Sequence, residues 1–207
     1  MNKRNDGAIQ AIIFDVGGVL IRTIDHSGRQ EWESRLGLPS GGAEAIVLNS
    51  EMGHRAQCGE ITTESLWTWV GEQLDLGSNL SQFRLDFWRG DSVDQSLVDL
   101  ARKLRRRYIL AIISNAMDSL TETLRDLDLL KEFDLVVGSA YEGIMKPNPA
   151  IYELTLNRLG IKPHESVFID DSPVNVASAR AIGMHAVLFN PLMDLPFELQ
   201  KLGVELN

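Results

Sequence analysis

Ala11-Ile12-Ile13-Phe14-Asp15-Val16-Gly17-Gly18-Val19-Leu20 is an apolar run interrupted by one carboxylate and two glycines. The four apolar residues ahead of Asp15 read as a strand buried on both faces, as strands of a parallel sheet are. Gly17 and Gly18 then allow a sharp turn and a close approach of backbone to whatever lies at the strand's end. Ligands of open parallel sheets bind beyond the carboxyl ends of the strands, which puts Asp15 at the mouth of a site as a nucleophile or metal ligand. Asp before Gly is also ordinary turn chemistry, and the stretch taken alone admits that reading.

Outward from this strand the character changes. From about Thr23 to Gly90 no strand-like alternation is present, and the segment reads as helices broken at Gly37-Leu38-Pro39, Gly59 and Leu76-Gly77-Ser78-Asn79. Thr62, followed by apolar periodicity through Leu66 and Trp67, marks a helix start. All four tryptophans, Trp32, Trp67, Trp69 and Trp88, fall in this insert; their spacing fits the interior of a small bundle, with an aromatic substrate pocket as the other reading. Beyond Asp91 helix and strand alternate: a helix over Val93 to Arg107, a strand over Tyr108 to Ile113, and a helix over Asp118 to Leu129. A short strand at Leu135 to Val137, a helix at Ala150 to Leu159 and a strand at Ser166 to Ile169 follow. A helix at Val174 to Ile182, a strand at His185 to Leu188 and a last helix from Asp194 complete the pattern. Repeated strand-helix units predict an α/β fold, a doubly wound parallel sheet with helices on both faces.

Three further pieces end apolar runs in polar groups or set a cation in a loop: Ile112-Ile113-Ser114-Asn115, Met145-Lys146-Pro147-Asn148-Pro149 and Phe168-Ile169-Asp170-Asp171-Ser172. Strands ending at Asp15, Ser114 and Asp170 in one parallel sheet bring a carboxylate, a hydroxyl and a carboxylate pair to one rim. Asp170 and Asp171 side by side repel unless a partner offsets them, and a divalent cation with oxygen ligands does so; Mg²⁺ suits few carboxylates plus water and phosphate. Helix capping ahead of Pro173 is the structural alternative for that pair.

In this order, the four motifs resemble the haloacid dehalogenase-like hydrolase superfamily, from about Ile12 to about Leu188. The resemblance implies a Rossmann-like core over residues 1–21 and 91–207 and a helical cap over 22–90, hinged at Leu20 to Thr23 and Arg89 to Ser92. It implies a Mg²⁺-dependent phosphomonoester hydrolase in which Asp15 becomes an aspartyl phosphate that water then hydrolyses. By the same resemblance, Mg²⁺ is held by Asp15, the backbone carbonyl of Gly17 and Asp171, with Asp170 assisting. Ser114, with backbone N–H groups around Gly17 and Asn115, binds the phosphoryl oxygens; Lys146 offsets charge on nucleophile and phosphoryl group; and Asn175 braces its loop.

One position departs from the pattern. Phosphatases of the superfamily carry a second aspartate two residues after the nucleophile, and here that position is Gly17. A positioned acid or base contributes on the order of 10² to 10⁴ in rate. The expected substrate is therefore a small phosphate ester whose leaving group departs with little protonation, such as a sugar phosphorylated at its anomeric carbon. Asp25 and His26 are the candidates for a substitute proton donor. Phosphonoacetaldehyde hydrolase chemistry is set aside, since it needs a cap lysine and none lies between Thr23 and Gly90. The competing class is a binding or regulatory protein that keeps the site without turnover.

The balance of the chain limits the partners. With 207 residues, 44% of them hydrophobic, it can bury one good core and a small second domain. A net charge of −9 argues against nucleic acid. The one basic cluster, Lys103-Leu104-Arg105-Arg106-Arg107, falls at a helix end where cations complement the dipole. No apolar run is long enough to span a bilayer, and Met1 to Gln10 lack a signal-like segment, so a cytoplasmic protein with a small-molecule phosphate substrate is expected. The single cysteine, Cys58, excludes an internal disulfide and has no base beside it.

Overall fold

In the computed structural model, which describes residues 8–206, the chain begins with a strand that no water reaches: β1, Ala11–Phe14, is buried at every residue. The reading of the polar residues 1–7 lies outside the described residues. β2 (Ile21–Thr23) follows, then five helices: α1 (Ser27–Leu36), α2 (Gly42–Val47), α3 (Glu51–Gln57), α4 (Thr63–Gln73) and α5 (Leu80–Trp88). The chain returns through β3 (Asp91–Val93), α6 (Gln95–Leu104), β4 (Ile109–Ser114), α7 (Leu120–Asp126), β5 (Leu135–Gly138) and α8 (Ser139–Glu142). α9 (Pro149–Leu159), β6 (Ser166–Asp170), α10 (Pro173–Ala181), β7 (His185–Leu188) and α11 (Leu195–Lys201) complete it.

Five strands form one sheet in the order β5-β4-β1-β6-β7, every pair parallel. The two-residue period of a strand sorts its side chains between two cores. Ile12, Phe14, Leu110, Ile112, Val167 and Ile169 face one core, closed by α6, α7 and α11 through residues such as Leu97, Leu124 and Leu199. Ile13, Ala111, Ile113 and Phe168 face the other, closed by α9 and α10 through Ile151, Tyr152, Leu156 and Val176. A continuous apolar run was therefore the right signature, since neither sheet face meets solvent. The register sets Phe14 beside both Ile112 and Ile169. Asp15, Ser114 and Asp170 then emerge at the same edge of neighbouring strands.

The helical segment has its own core of Trp32, Val47, Leu66, Trp67, Val70, Phe83 and Phe87. Its breaks follow local chemistry: Gly37 ends α1 with φ 66°, and Thr62 accepts a hydrogen bond from Ser65 N–H to start α4. Trp32 and Trp67 are buried as expected, but Trp88 is 39% exposed. It ends α5 beside exposed Leu85, its ring edge-on to Phe87 at 4.7 Å. Two strands were not legible. β2 and β3 pair antiparallel at the root of the helical segment, over Ile21 to Thr23 and Asp91 to Val93, where sequence suggested hinges and the start of a helix. Three-residue strands are too short to show alternation, and this pair is fixed by long-range bonds: Arg22 to Asp94 at 2.5 Å and Thr23 Oγ1 to Asp91 at 2.6 Å.

Candidate active site

Lys146 is the hub of the rim. It is 3% exposed, and its Nζ lies 2.7 Å from Asp15 Oδ1, 2.7 Å from Asp170 Oδ2 and 3.0 Å from the carbonyl of Ile113. An ammonium has three protons, so these partners take all of them. The sequence reading has Lys146 offset charge on nucleophile and phosphoryl group; its donors reach the Asp15 and Asp170 carboxylates and the β4 carbonyl. Its loop is braced from both sides by Asn115, whose side chain accepts from Lys146 N–H at 2.7 Å and donates to Lys146 O at 2.9 Å. Ser178 Oγ donates to Pro147 O at 2.6 Å from α10. Asn115 was expected at the phosphate through its backbone; its side chain has this second task, which no local pattern signals because the partners lie 31 residues apart.

Asp170 is fully buried and well bonded. Ser172 N–H donates to its Oδ1 at 2.8 Å, Lys146 to its Oδ2, and Asn175 Nδ2 sits 3.1 Å from both oxygens. These bonds fix Asp170 as an anchor for Lys146 and Asn175. Asn175 thus braces the motif by gripping Asp170, and its own carbonyl accepts from the Tyr152 hydroxyl at 3.1 Å.

Asp15 is 7% exposed, and its Oδ1 accepts from Val16 N–H at 2.7 Å in addition to Lys146. Burial pushes its carboxyl up to about 6, with Lys146 pulling it down and Asp170 adding to the rise. Asp171 is also raised, by burial first and by Asp170 second. Ligand oxygens of Asp15, Asp170 and Asp171 lie within 4.8 Å of one another. Three carboxylates against one ammonium leave two negative charges uncompensated, and a divalent cation with a preference for oxygen matches both that charge and that donor set.

The two glycines have different duties. Gly18 has φ 76°, and a Cβ there would stand 2.1 Å from Asp171 Oδ2; its bare Cα is what admits the Asp171 carboxylate to the cluster. Gly17 is not required by its backbone, and a Cβ on it would meet nothing within 4 Å. The turn is closed by Gly18 N–H to Ile21 O and Ile21 N–H to Val16 O, bonds that do not use the Gly17 carbonyl.

Of the two candidate proton donors, Asp25 has both carboxylate oxygens engaged. Its carboxylate accepts from Ser27 N–H and Oγ at the start of α1, which holds it below the usual carboxylate range, the opposite of what a neutral-pH acid needs. His26 sits exposed at the N-terminal boundary of the same helix.

A parallel sheet that gathers aspartates, a lysine and a serine at its C-terminal rim defines a hydrolase of the kind the four motifs suggested. A family model for haloacid dehalogenase-like hydrolases matches residues 9–183, and the chain belongs to that family. Among curated relatives, mouse acyl-CoA dehydrogenase family member 10 is 31% identical over 86% of this chain, which spans only 18% of that protein's length. A sesquiterpene phosphatase of Aspergillus oryzae is 27% identical over 93% of this chain and 96% of its own. Among solved structures, a haloacid dehalogenase family enzyme of Bacteroides thetaiotaomicron, in complex with magnesium and inorganic phosphate, superposes with a TM-score of 0.77 at 22% identity, covering 92% of this chain and 99% of that one. Among the described residues no helix is long and apolar enough to cross a membrane.

Proposed function

We propose that the protein is a Mg²⁺-dependent phosphomonoesterase for a small phosphorylated metabolite, working through an aspartyl phosphate at Asp15. The observation that carries this reading is the Lys146 ammonium held 2.7 Å from both Asp15 and Asp170, beside an Asp171 that Gly18 admits to the cluster. The phosphatase relative that matches nearly end to end supports it. Residues 1–21 and 91–207 serve as the catalytic core, and residues 22–90 as a cap over its rim.

The donors fit Mg²⁺, which the neighbour from Bacteroides binds: the side chains of Asp15 and Asp171 with the Gly17 carbonyl would hold it. Bound there, it would offset charge on the phosphoryl oxygens and fix their orientation. Asp15 Oδ1 accepts from Val16 N–H and Lys146, which aims the carboxylate. One carboxylate oxygen attacks phosphorus, and the P–O bond to the leaving group breaks as the new O–P bond forms. Water then attacks the phosphorus, the O–P bond to Asp15 breaks, and orthophosphate leaves as the water's proton passes to solvent, restoring the carboxylate. Lys146 acts through Asp15, keeping it ionised and aimed, while Ser114 and the backbone N–H groups near Gly17 and Asn115 receive the phosphoryl oxygens.

With no carboxyl at Gly17, the alcohol leaves without a positioned acid from that residue. This favours esters with a stable leaving group, such as anomeric sugar phosphates. The test is hydrolysis of para-nitrophenyl phosphate with and without Mg²⁺. Metal-dependent release, lost in Asp15→Asn, is the expected result; a well-folded wild type without any phosphatase activity would favour a binding or regulatory role.

A further inference from the structure

The loop that follows Ser114 is tied to the helical segment at three consecutive residues. Ala116 N–H donates to Ser139 Oγ at 3.0 Å, and that hydroxyl, fully buried, donates in turn to Gln57 O at the end of α3, at 2.6 Å. The Met117 side chain, 8% exposed, packs in the helical segment's own core with Trp67 and Phe87. The Asp118 carboxylate accepts from Thr63 N–H at 3.2 Å and, in a shorter bond, from Thr63 Oγ1 at the start of α4. Between these points the α3–α4 turn lies flat on α8: Gly59, at φ 72°, would put a Cβ 2.1 Å from Ala140 O.

The Ser139 proton has two acceptors within reach, Gln57 O at 2.6 Å and Ala116 O at 3.2 Å. One belongs to the helical segment and the other to the core loop. With the turn seated, the proton has its nearer acceptor in Gln57 O while the oxygen accepts from Ala116 N–H, two residues beyond Ser114.

We infer that Asp118 and Ser139 are positioning residues that couple seating of the α3–α4 turn to the geometry of the loop bearing Ser114 and Asn115. The coupling rests on the proposal that this loop receives the phosphoryl group, since its consequence for turnover needs that role. Its structural part stands independently. Seating of the helical segment then completes the anion site, and the site is loose when the turn lifts.

Hydrogen–deuterium exchange on the intact chain tests this, first without any ligand. Thr63→Val removes only the hydroxyl bond to Asp118, from the far side of the interface. It should raise exchange at the Ala116 amide about tenfold, because losing one charge-assisted bond shifts an opening equilibrium by that order. Asp118→Ala, which also removes the acceptor of Thr63 N–H, should raise it at least as far, the double variant no more than Asp118→Ala alone, and Asp118→Asn, which keeps an acceptor oxygen, should stay within about threefold of wild type. Exchange raised only around residues 62–66 in both Thr63→Val and Asp118→Ala would overturn the coupling. In turnover of para-nitrophenyl phosphate, Thr63→Val should raise KM for the ester more than it lowers kcat. A wild type with no turnover would defeat the phosphatase reading while the exchange data still decide the coupling.

Discussion

Gly17→Asp should convert a missing part into a gain. The substitution is sterically open: a Cβ at this position meets nothing within 4 Å, and the backbone there is not in the left-handed region that penalises side chains. With the cation bound, folding should therefore change by no more than about 0.5 kcal/mol, the range of unstrained substitutions outside the core. The new carboxyl adds a fourth acidic group beside Asp15, Asp170 and Asp171, so it gains a partner only when the cation is bound. A positioned general acid is worth about 10² to 10⁴ in rate, or about 3 to 5 kcal/mol of barrier. That benefit falls on leaving groups that need a proton. Paired measurements of kcat/KM with Mg²⁺ on an alkyl phosphate and on para-nitrophenyl phosphate separate the effects. The alkyl ester should accelerate at least about a hundredfold while the aryl ester changes by no more than a few-fold. Equal factors for both esters, or a loss on both in a variant with wild-type stability, would refute the claim that Gly17 sets the leaving-group requirement.

Lys146→Met leaves Asp15 and Asp170 buried without their shared cation, and should cost about 3 to 5 kcal/mol in denaturant unfolding where Asp15 is ionised, with the gap narrowing as pH falls towards about 6 and level below it, because without Lys146 the Asp15 carboxyl takes its proton at a higher pH than in the wild type. Gly18→Ala drives a methyl into Asp171 and forces an alanine to φ 76°; calorimetric titration should show Mg²⁺ affinity reduced by about tenfold or more, with the fold retained. The contribution of Asp15 to metal-free stability, read as wild type against Asp15→Asn, should fall with rising pH between 3.8 and about 6, because a folded-state pKa above the unfolded value makes the native carboxyl the stronger proton binder in that window. Mg²⁺ should reverse the trend, raising the thermal midpoint most above about pH 6, where Asp15 is ionised without cost to a competing proton. A midpoint shift by Mg²⁺ that is the same at low and neutral pH would contradict the assignment of Asp15 to the metal.

The sheet was legible because its strands are buried on both faces, so hydrophobic runs such as Ala11 to Phe14 and Ile109 to Ile113 stand out without any need for alternation. The same runs located Asp15, Ser114 and Asp170, since each polar residue appears where the run stops. What the sequence hid was pairing across distance. β2 and β3 are short and become strands only by meeting each other across the whole helical segment. Asn115 on Lys146, Ser139 on Gln57 and Asp118 on Thr63 join residues 31, 82 and 55 positions apart, and no local pattern records such bonds. Asp25 misled for the converse reason: its bonds to Ser27 are local, and their effect on its acidity is set by geometry that residue type alone does not give. Lys146 stood out only by its place among the motifs, and only its three short contacts show that its protons reach two carboxylates and a carbonyl.

Acid quenching during turnover of a labelled phosphate ester, followed by peptide mapping, addresses the nucleophile itself. A phosphoryl label on the peptide containing Asp15, absent from Asp15→Asn and cleared by a chase of unlabelled ester, is the expected result. Turnover that survives in Asp15→Asn, with no label on that peptide in the wild type, would contradict the account.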